Sequence, residues 1–456
     1  MFFQRVKTRG LGHNAYVLGC GAGLAVVVDP RRDVDDYVRI ARENKLQIAY
    51  VLETHRQEDF ESGSRSLARF TGARIVAGTH PLSGAADIRL ADAEELKVGS
   101  TRLVALATPG HTPESMSYAV YPGDTGDTCW AVFSGDTLFV GDTGRTDLSD
   151  PALTAEHAGL LYDSVHARLA PLGPQALLLP AHGAGSACGG NISDRDDSTL
   201  GIEQLTNPVF TLAREEFAAR KAAEHLPRPP YFRHMEQVNL GGGRAVPDPG
   251  HELVLSPGQF NTQCKDGVLI DTREPDAFAG AHIPGAYNIW LNGLPTFGGW
   301  VADEHSAVYL VVDQPAKAAT ALAALARIGI DGVAGILTEG VEAWRNAGLP
   351  IDAFATTSAR QVARWMAQGP LYILDVRDDM EWKKSHIPGA HHTYVGFLDQ
   401  QLPQVPKDHR IVVHCSVGHR SGLAASILRR HGFTEVFNML GGLTAWKKLK
   451  LPLAEG

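Results

Sequence analysis

Short apolar runs and amphipathic segments alternate along the first half of the chain. Runs rich in β-branched and aromatic residues favour strands, whereas apolar positions that recur every three to four residues favour helices. The runs predict strands at residues 14–20, 24–29, 48–52, 74–77, 101–107, 115–120 and 130–133, and the spacing predicts helices at 33–43 and 59–70. This order of elements, built twice over, indicates two stacked sheets with helices outside, an αββα sandwich.

A change in composition marks the end of this region. Helical spacing over residues 208–224 gives way to the run Leu226-Pro227-Arg228-Pro229-Pro230, and a glycine triplet follows at 241–243. Proline and glycine at this density end regular structure. We therefore expect a first domain over residues 1–225 and a linker over residues 226–250.

Beyond the linker the chain repeats itself. The repeated motif reads Ile270-Asp271-Thr272-Arg273 with His282-Ile283-Pro284-Gly285-Ala286, and then Leu374-Asp375-Val376-Arg377 with His386-Ile387-Pro388-Gly389-Ala390. Asp375 follows Asp271 by 104 residues, and His386 follows His282 by the same interval. The repeat predicts two copies of one small α/β domain, over residues 251–352 and 353–456.

Composition narrows the class of protein. With 42 Lys and Arg against 51 Asp and Glu the chain is slightly acidic, and no basic stripe suggests a nucleic acid or an anionic membrane as a partner. The N-terminus lacks the apolar run of a signal peptide, and the apolar segment 318–330 is too short to span a membrane. Five scattered cysteines argue for a reducing compartment. These features predict a cytoplasmic enzyme or binding protein, with a homo-oligomer left open.

Two histidines and one aspartate follow three separate apolar strands. His55 comes after the strand at 48–52, His111 follows the strand at 101–107, and Asp136 follows the strand at 130–133. Two imidazoles and one carboxylate form the ligand set expected for one divalent metal with open coordination positions. The sequence therefore predicts a mononuclear metal site at these three residues.

The surrounding motifs resemble a known family. They read Thr54-His55, Thr108-Pro109-Gly110-His111-Thr112, Ser134-Gly135-Asp136-Thr137, Gly144-Arg145-Thr146-Asp147 and Pro180-Ala181-His182-Gly183. Together they are similar to the metallo-β-lactamase superfamily, and within it to the persulfide dioxygenases. The resemblance implies one Fe(II) per chain on His55, His111 and Asp136, and oxidation of a thiol persulfide by O₂ to sulfite. It also implies that Arg145 binds a carboxylate of glutathione or of another low-molecular-weight thiol that carries the persulfide.

The chain departs from the superfamily at one motif. Most members have His-x-His-x-Asp-His, whereas this chain reads His55-Arg56-Gln57-Glu58-Asp59-Phe60. Binuclear zinc hydrolases need the two missing imidazoles, so Gln57 and Phe60 argue against a second metal. Asp59 and His182 are then expected to lie behind the metal ligands without binding the metal.

Other interpretations of the first domain stay open. A mononuclear zinc hydrolase of the glyoxalase II type, acting on thioesters, is the main alternative. A catalytically inactive first domain and a non-catalytic persulfide-binding protein are the others. Cys188, close to His182 in sequence, is either an accessory sulfur carrier or a residue that packs a loop.

A cysteine loop distinguishes the second copy of the repeat. The strand Val412-Val413-His414 runs into Cys415, and a helix follows at 421–431. A loop that ends at a helix N-terminus directs backbone N–H groups at the sulfur, which predicts a thiolate at Cys415 that accepts sulfane sulfur. The residues expected to bind its substrate are Ser416, Val417, Gly418, His419 and Arg420.

The first copy has no cysteine at this place. It reads Val311-Val312-Asp313-Gln314-Pro315-Ala316-Lys317, which we take to be two residues shorter than the cysteine loop. We therefore expect the first copy to be inactive and to serve as a spacer or docking surface.

Both copies are similar to the rhodanese family of sulfurtransferases, including a Gly-x-x-x-Trp ending. The resemblance implies that Cys415 exchanges sulfane sulfur with a persulfide, thiosulfate or sulfite, and that Asp375 and Arg377 support the loop from behind. A cysteine phosphatase is the alternative, but it has five residues between its cysteine and arginine, whereas Cys415 and Arg420 have four. The sequence thus predicts a persulfide dioxygenase fused to a sulfurtransferase.

Overall fold

The structure is a computed structural model that describes residues 2–247 and 253–455. The chain divides into two compact units, Met1–Val246 with Ala326–Gly329, and Pro247–Leu325 with Ile330–Gly456. Among the described residues, none of the helices combines the length and the apolar character needed to cross a bilayer.

Two sheets build the N-terminal unit, each with six strands among the described residues. The first contains β1 (Phe2–Thr8), β2 (His13–Gly19), β3 (Leu24–Val28), β4 (Gln47–Leu52), β5 (Arg74–Gly78) and β6 (Ile88–Leu90), in that spatial order. The second contains β7 (Glu95–Val98), β8 (Thr101–Ala107), β9 (Met116–Tyr121), β10 (Ala131–Gly135), β11 (Leu177–Pro180) and β12 (Ser198–Thr199), also in chain order.

Helices cover the outer faces of both sheets. They are α1 (Asp35–Glu43), α2 (Ser64–Thr71), α3 (Thr154–Ser164), α4 (Leu200–Thr206), α5 (Pro208–Thr211), α6 (Arg214–Ala222) and α7 (Phe232–Leu240). Tyr16 of the first sheet and Phe133 of the second belong to the apolar core between the sheets, whereas Tyr37 of α1 and Phe217 of α6 belong to two outer cores. The layers are those of the predicted αββα sandwich, and this prediction is confirmed.

The strands that precede the predicted metal ligands end at one edge of the second sheet. β10 pairs in parallel with β11, and β8 and β10 both pair antiparallel with β9, so β8, β10 and β11 run in the same direction. The first sheet joins this edge where the Met116 N–H donates to the Thr54 carbonyl at 2.7 Å, just after β4. Residues that follow these strands are therefore collected at one end of the sandwich.

Two boundaries differ from the prediction. Helix α2 begins at Ser64 and not at residue 59, because residues 56–63 form a loop against which α7 packs. The stretch predicted to be a linker contains α7, whose Phe232 and Met235 are fully buried. The end of that predicted linker, residues 248–250, lies outside the described residues.

The C-terminal unit contains two parallel sheets. One is formed by β13 (Val268–Asp271), β14 (Tyr287–Asn288), β15 (Val308–Val311) and β16 (Val333–Leu337), in the order β14-β13-β15-β16. The other is formed by β17 (Ala355–Ser358), β18 (Tyr372–Asp375), β19 (His391–His392), β20 (Ile411–His414) and β21 (Val436–Leu440), in the order β17-β21-β20-β18-β19. All pairs within both sheets are parallel, as expected when strands alternate with helices.

Helices alternate with these strands in both copies. The first copy has α8 (Pro257–Gln263), α9 (Pro275–Gly280), α10 (Leu294–Val301), α11 (Ala316–Arg327) and α12 (Gly340–Asn346). The second has α13 (Ala359–Gln368), α14 (Asp379–Lys384), α15 (His419–Arg430) and α16 (Gly442–Lys448).

The loop after the third strand of the first copy is not shortened. β15 ends at Val311 and α11 begins at Ala316, while β20 ends at His414 and α15 begins at His419, so four residues separate strand and helix in each copy. The predicted shortening is therefore wrong. The copies differ here in chemistry, because Val312 stands at the place of Cys415.

Candidate functional site

His55, His111 and Asp136 meet in the N-terminal unit although they are far apart in sequence. The Nε2 atoms of His55 and His111 lie 3.7 and 3.4 Å from Oδ2 of Asp136, and the two imidazole rings are 5.2 Å apart. All three side chains are at most 1% exposed. The structure thus brings together the three predicted metal ligands in a buried cluster.

The donor atoms of this cluster suit a divalent cation. Within the described part of the chain, Nε2 of His55 and Nε2 of His111 have no hydrogen-bond partner although they are buried. Two donors that each lie about 2.1 Å from one ion are roughly 3.0–3.4 Å apart in octahedral or tetrahedral geometry. The observed separations of 3.4 and 3.7 Å are close to this range. The residues therefore fit a single metal ion.

Neighbouring groups hold the imidazole ring of His55 in the orientation in which Nε2 faces the cluster. The Thr54 hydroxyl donates to Oδ2 of Asp29 at 2.8 Å, so its oxygen is left to accept from Nδ1 of His55 at 2.9 Å. Asp29 also accepts from the Thr54 N–H at 2.8 Å and has a φ of 47°. Burial lowers the pKa of His55 to about 3. His55 is thus a neutral imidazole with its lone pair on the atom that faces Asp136.

A glycine lets the second sheet approach Thr54. Gly135 has a φ of 55°, and a Cβ atom there would come within 2.7 Å of the Thr54 hydroxyl oxygen. Any larger residue would therefore push Asp136 away from His55.

His111 is oriented by the backbone of Arg145, whose carbonyl accepts from its Nδ1 at 2.7 Å. The Arg145 side chain is 2% exposed, and its guanidinium donates to Asp147 Oδ1 and Oδ2 and to the carbonyls of Ala187, Leu226 and Pro227. Acceptors of the protein thus use all the N–H groups that a guanidinium offers. This arrangement gives Arg145 a positioning role in place of the predicted contact with the thiol carboxylate.

His182 links the cluster to a second carboxylate. Its Nδ1 lies 2.8 and 2.9 Å from the two oxygens of Asp136, and its Nε2 lies 3.0 Å from Oδ2 of Asp59. Although burial alone would raise the pKa of Asp136, the charge of His182 and the hydrogen bond from its ring lower it. Asp136 is therefore held as a carboxylate. His182 thus lies between Asp136 and Asp59, and the role of Asp59 and His182 behind the metal ligands stays a prediction.

Two residues that the sequence analysis did not assign to the metal lie in the same cluster. Glu58 Oε2 is within 4.0 Å of Nε2 of both His55 and His111. Cys188 lies with His111 and Asp136 in one group of possible ligand atoms, and with Asp59 and His182 in another. Burial raises the pKa of the Cys188 thiol well above its usual value. A protonated, fully buried thiol is a poor nucleophile, which argues against Cys188 as a sulfur carrier.

The loop that carries Glu58 is held by α7. Asn239 donates through Nδ2 to the carbonyls of Gln57 and Phe60 at 2.8 Å, and its Oδ1 accepts from the Ser62 N–H at 2.8 Å. The Tyr231 hydroxyl donates to the Asp59 carbonyl at 3.1 Å. The short-range pattern of residues 226–250 gave no sign of this role, because the partners lie about 180 residues upstream.

An Asn239→Ala variant is expected to bind Fe(II) more weakly and to unfold at lower temperature. The change leaves two buried carbonyls and one buried N–H without partners, which should lower the midpoint of thermal unfolding by roughly 5 °C or more. Differential scanning fluorimetry and anaerobic Fe(II) titration measure the two effects. Asn44→Ala, at an exposed C-terminal position of α1, is the control. Equal effects of the two substitutions would contradict a specific role of Asn239.

A cleft opens beside His182. Its volume is about 280 Å³, and its lining includes His13 and His182 together with the charged residues Lys7, Arg9, Asp194, Arg195 and Asp196. His13 packs against Phe60, with ring centroids 4.1 Å apart. The cleft therefore offers a small, partly basic entrance beside His182.

The second cluster surrounds Cys415, which is 1% exposed. Its Sγ accepts from the Gly418 N–H at 3.1 Å. The Ser421 hydroxyl lies 3.6 Å from Sγ and donates its proton to Oδ1 of Asn438 at 2.7 Å. The loop carbonyls point the other way, because those of Cys415, Ser416 and Val417 accept from backbone N–H groups at the start of α16. Gly442 permits this approach, since a Cβ atom there would lie 2.3 Å from the Cys415 carbonyl oxygen. The loop is thus shaped to donate to sulfur.

Glu381 connects the loop to the element behind it. It accepts from the Ser416 hydroxyl at 2.6 Å and from both terminal nitrogens of Arg420, one at 2.9 Å. Arg377 forms a two-point ion pair with Asp375 and donates to the Glu381 carbonyl at 3.1 Å. Asp375 and Arg377 therefore support the loop from behind, through α14.

The first copy contacts the cysteine loop of the second. Nε2 of His419 lies 2.9 Å from Oε2 of Glu274, and the His419 ring stacks on Trp290 with centroids 4.8 Å apart. The Asn288 N–H donates to the Ser426 hydroxyl of α15 at 3.0 Å. The first copy, which has no cysteine in the equivalent loop, thus packs against the Cys415 loop and against helix α15. Of the predicted loop residues, Val417 is the most exposed, at 49%.

Comparisons with known proteins agree with the division of the chain into an N-terminal unit and two C-terminal copies of one domain. A family model described as the rhodanese-like domain matches residues 256–347 and 358–449. The human mitochondrial protein named persulfide dioxygenase ETHE1 is 30% identical over 226 residues, which are 49% of this chain and 81% of that protein. A Mycobacterium tuberculosis protein, the probable adenylyltransferase/sulfurtransferase MoeZ, is 32% identical over 101 residues, which are 22% of this chain and 26% of that protein.

A solved structure extends the likeness. The crystal structure of a metallo-beta-lactamase from Staphylococcus aureus matches with a TM-score of 0.66 and 28% identity, and the match covers 74% of this chain and 98% of that chain. The matched part of this chain is longer than its N-terminal unit. The likeness therefore reaches beyond the αββα sandwich.

Proposed function

The chain belongs to the persulfide dioxygenase family and carries two rhodanese-like domains, and we propose that it oxidises a thiol persulfide such as glutathione persulfide to sulfite and transfers sulfane sulfur through Cys415. It is an enzyme of persulfide oxidation and sulfur transfer. The observation that carries the finer proposal is the buried convergence of His55, His111 and Asp136 on one point, with both Nε2 atoms free of partners among the described residues.

The oxidation site uses fixed, buried side chains. Bound Fe(II) would supply the redox chemistry that O₂ activation requires, which zinc lacks. Thr54 and the Arg145 carbonyl hold the two imidazoles in the tautomer whose Nε2 faces the site. His182 holds the carboxylate of Asp136. These contacts preorganise the ligands, and burial keeps bulk water from the reacting groups.

The net reaction needs no further oxidant. The terminal sulfur of the persulfide gives four electrons to O₂, gains both oxygen atoms of O₂ and one from water, and leaves as sulfite with the thiol and protons. We propose that the thiol part lies in the cleft beside His182, where Arg9 suits a carboxylate group of a thiol such as glutathione.

The transfer site uses backbone donors. We propose that the Cys415 thiolate attacks a sulfane sulfur of thiosulfate or of a persulfide, so that one S–S bond forms at Cys415 and the bond to sulfite or to the thiol breaks. The Gly418 N–H is placed to stabilise the resulting persulfide anion. The four-residue spacing between Cys415 and Arg420 supports sulfur over phosphate as the group carried. The first copy, with Val312 in place of the cysteine, is proposed to be inactive.

Metal analysis and product analysis of the full chain test this proposal. Anaerobically purified protein is expected to contain one iron per chain and, with glutathione persulfide, to consume O₂ and form sulfite in equal amounts. Thioester hydrolysis with bound zinc and no O₂ uptake would favour the hydrolase instead. Protein that contains no iron, or that makes no sulfite when iron is present, would overturn the oxygenase proposal.

A further inference from the structure

Glu58 lies beside the two histidines of the metal site. Its side chain is 1% exposed, and Oε2 lies 3.7 Å from Nε2 of His111 and 4.0 Å from Nε2 of His55. These are the same two nitrogen atoms that face Asp136. Glu58 and Asp136 thus each approach both imidazole nitrogens, and Glu58 forms one group of possible ligand atoms with His55 and His111.

The Glu58 carboxylate lacks a hydrogen-bond donor in the described ranges, where both of its oxygens are buried and without partners. A separation of 3.7 Å is too long for a hydrogen bond to His111. Burial of a carboxylate without a donor is unfavourable unless a cation balances the charge. The geometry therefore calls for a positive charge between Glu58 and the imidazoles.

We infer that Glu58 is a fourth protein ligand of the metal, together with His55, His111 and Asp136. Its carboxylate and that of Asp136 balance the charge of a divalent ion. A six-coordinate ion then keeps two open positions, whereas three protein ligands would leave three. One position is available to the persulfide sulfur and one to O₂. This inference goes beyond the proposed function, although it rests on the proposed metal site.

A second carboxylate also changes which metals the site prefers. Carboxylate oxygens are hard ligands that suit Fe(II) and Mn(II), whereas thiolates favour softer ions. Glu58 would be added to the three-residue set and would replace none of its members. It lies three positions after His55, on the loop held by Asn239. The loop therefore presents two donors to the same point.

Anaerobic Fe(II) titration of the full chain tests the inference through Glu58→Gln. This substitution keeps the size of the side chain but removes its charge, and it should weaken Fe(II) binding by roughly tenfold or more. Glu114→Gln is the matched control. Glu114 is also a buried glutamate near the cluster, 2% exposed, but its Oε1 accepts from the Arg56 N–H at 3.3 Å and it belongs to no group of possible ligands among the described residues. Glu114→Gln should bind Fe(II) within about twofold of the wild type.

Two further measurements separate a ligand from a merely structural residue. Metal-free Glu58→Gln should unfold at or above the temperature of the metal-free wild type, because an amide replaces an unpaired buried carboxylate. The rise in unfolding temperature on adding Mn(II) should be smaller in Glu58→Gln than in Glu114→Gln. The visible spectrum of the Co(II)-substituted protein should change only in Glu58→Gln, since the band positions and intensities depend on the ligand set.

The outcomes distinguish this inference from the proposed function. If the wild type binds metal and Glu58→Gln binds it equally well with the same Co(II) spectrum, Glu58 is not a ligand, and the three-ligand site stands. If the wild type binds no Fe(II), Mn(II) or Co(II), both the inference and the oxygenase proposal fail. Weaker binding in Glu58→Gln with wild-type binding in Glu114→Gln supports four protein ligands.

Discussion

Replacement of His111 by alanine is expected to abolish persulfide-dependent O₂ uptake while thiosulfate-dependent sulfur transfer continues at the wild-type rate. His111 faces Asp136 through Nε2 and is held through Nδ1 by the Arg145 carbonyl, so alanine removes a fixed nitrogen donor from the cluster. Loss of residues that only orient a metal ligand costs 10–100-fold in affinity, so loss of a ligand should cost more than roughly 100-fold. Iron content, O₂ uptake and sulfite formation measure the effect.

His80→Ala is the control for this substitution. His80 is an exposed histidine of the same unit, and its ring accepts only a local hydrogen bond from the Leu82 N–H. This variant should retain iron and O₂ uptake. Undiminished O₂ uptake in His111→Ala would refute the proposed site. Loss of both activities in His111→Ala would instead indicate a general folding defect, which far-ultraviolet circular dichroism would detect.

The position of the metal site follows from short-range patterns. The predicted strand at 101–107 has the bounds of β8, and the strand at 48–52 differs from β4 by one residue. When the end of a strand is predicted correctly, the position of the residues just after it is also known. His55 and His111, which follow such strands, could therefore be predicted from the sequence as candidate metal ligands. Strand β7 was not predicted, because its alternation of polar and apolar residues extends over only four residues.

Long-range contacts limited the prediction around the site. Asn239 lies in a stretch rich in proline and glycine, and only the folded chain shows that its amide holds the loop at residues 57–62. Likewise, Arg145 was assigned to the thiol substrate from the family resemblance alone. Its acceptors at Ala187, Leu226 and Pro227 are backbone carbonyls, which no residue pattern reveals.

The sequence did contain a signal for Glu381 that was not used. In the first copy the residue at the same offset of 104 is Ala277, so a carboxylate appears only in the copy that has the cysteine. The structure explains the difference, because Glu381 binds Ser416 and Arg420 of the cysteine loop. Comparison of repeated copies can therefore find residues that hold an active loop, and not only the nucleophile.

The two sites handle the same kind of sulfur by different means. The metal site is built from side chains that are fixed by long-range hydrogen bonds, whereas the Cys415 site relies on backbone N–H groups of one loop. Joining them in one chain raises the concentration of one site's product near the other without any new contact. Under the proposed function, sulfite or a persulfide released by one site would be available to the other. Separate inactivation of each site is the clearest way to resolve their contributions.

A Cys415→Ser variant is expected to lose thiosulfate-dependent sulfur transfer by more than roughly a thousandfold, because a hydroxyl is neither ionised at neutral pH nor able to carry sulfane sulfur. It should keep iron and O₂ uptake with glutathione persulfide. Thiocyanate formation from thiosulfate and cyanide measures the transfer. Cys264→Ser is the control, since Cys264 lies in the first copy and outside the loop. Equal loss in both variants, or loss of O₂ uptake in Cys415→Ser, would contradict two separate sites.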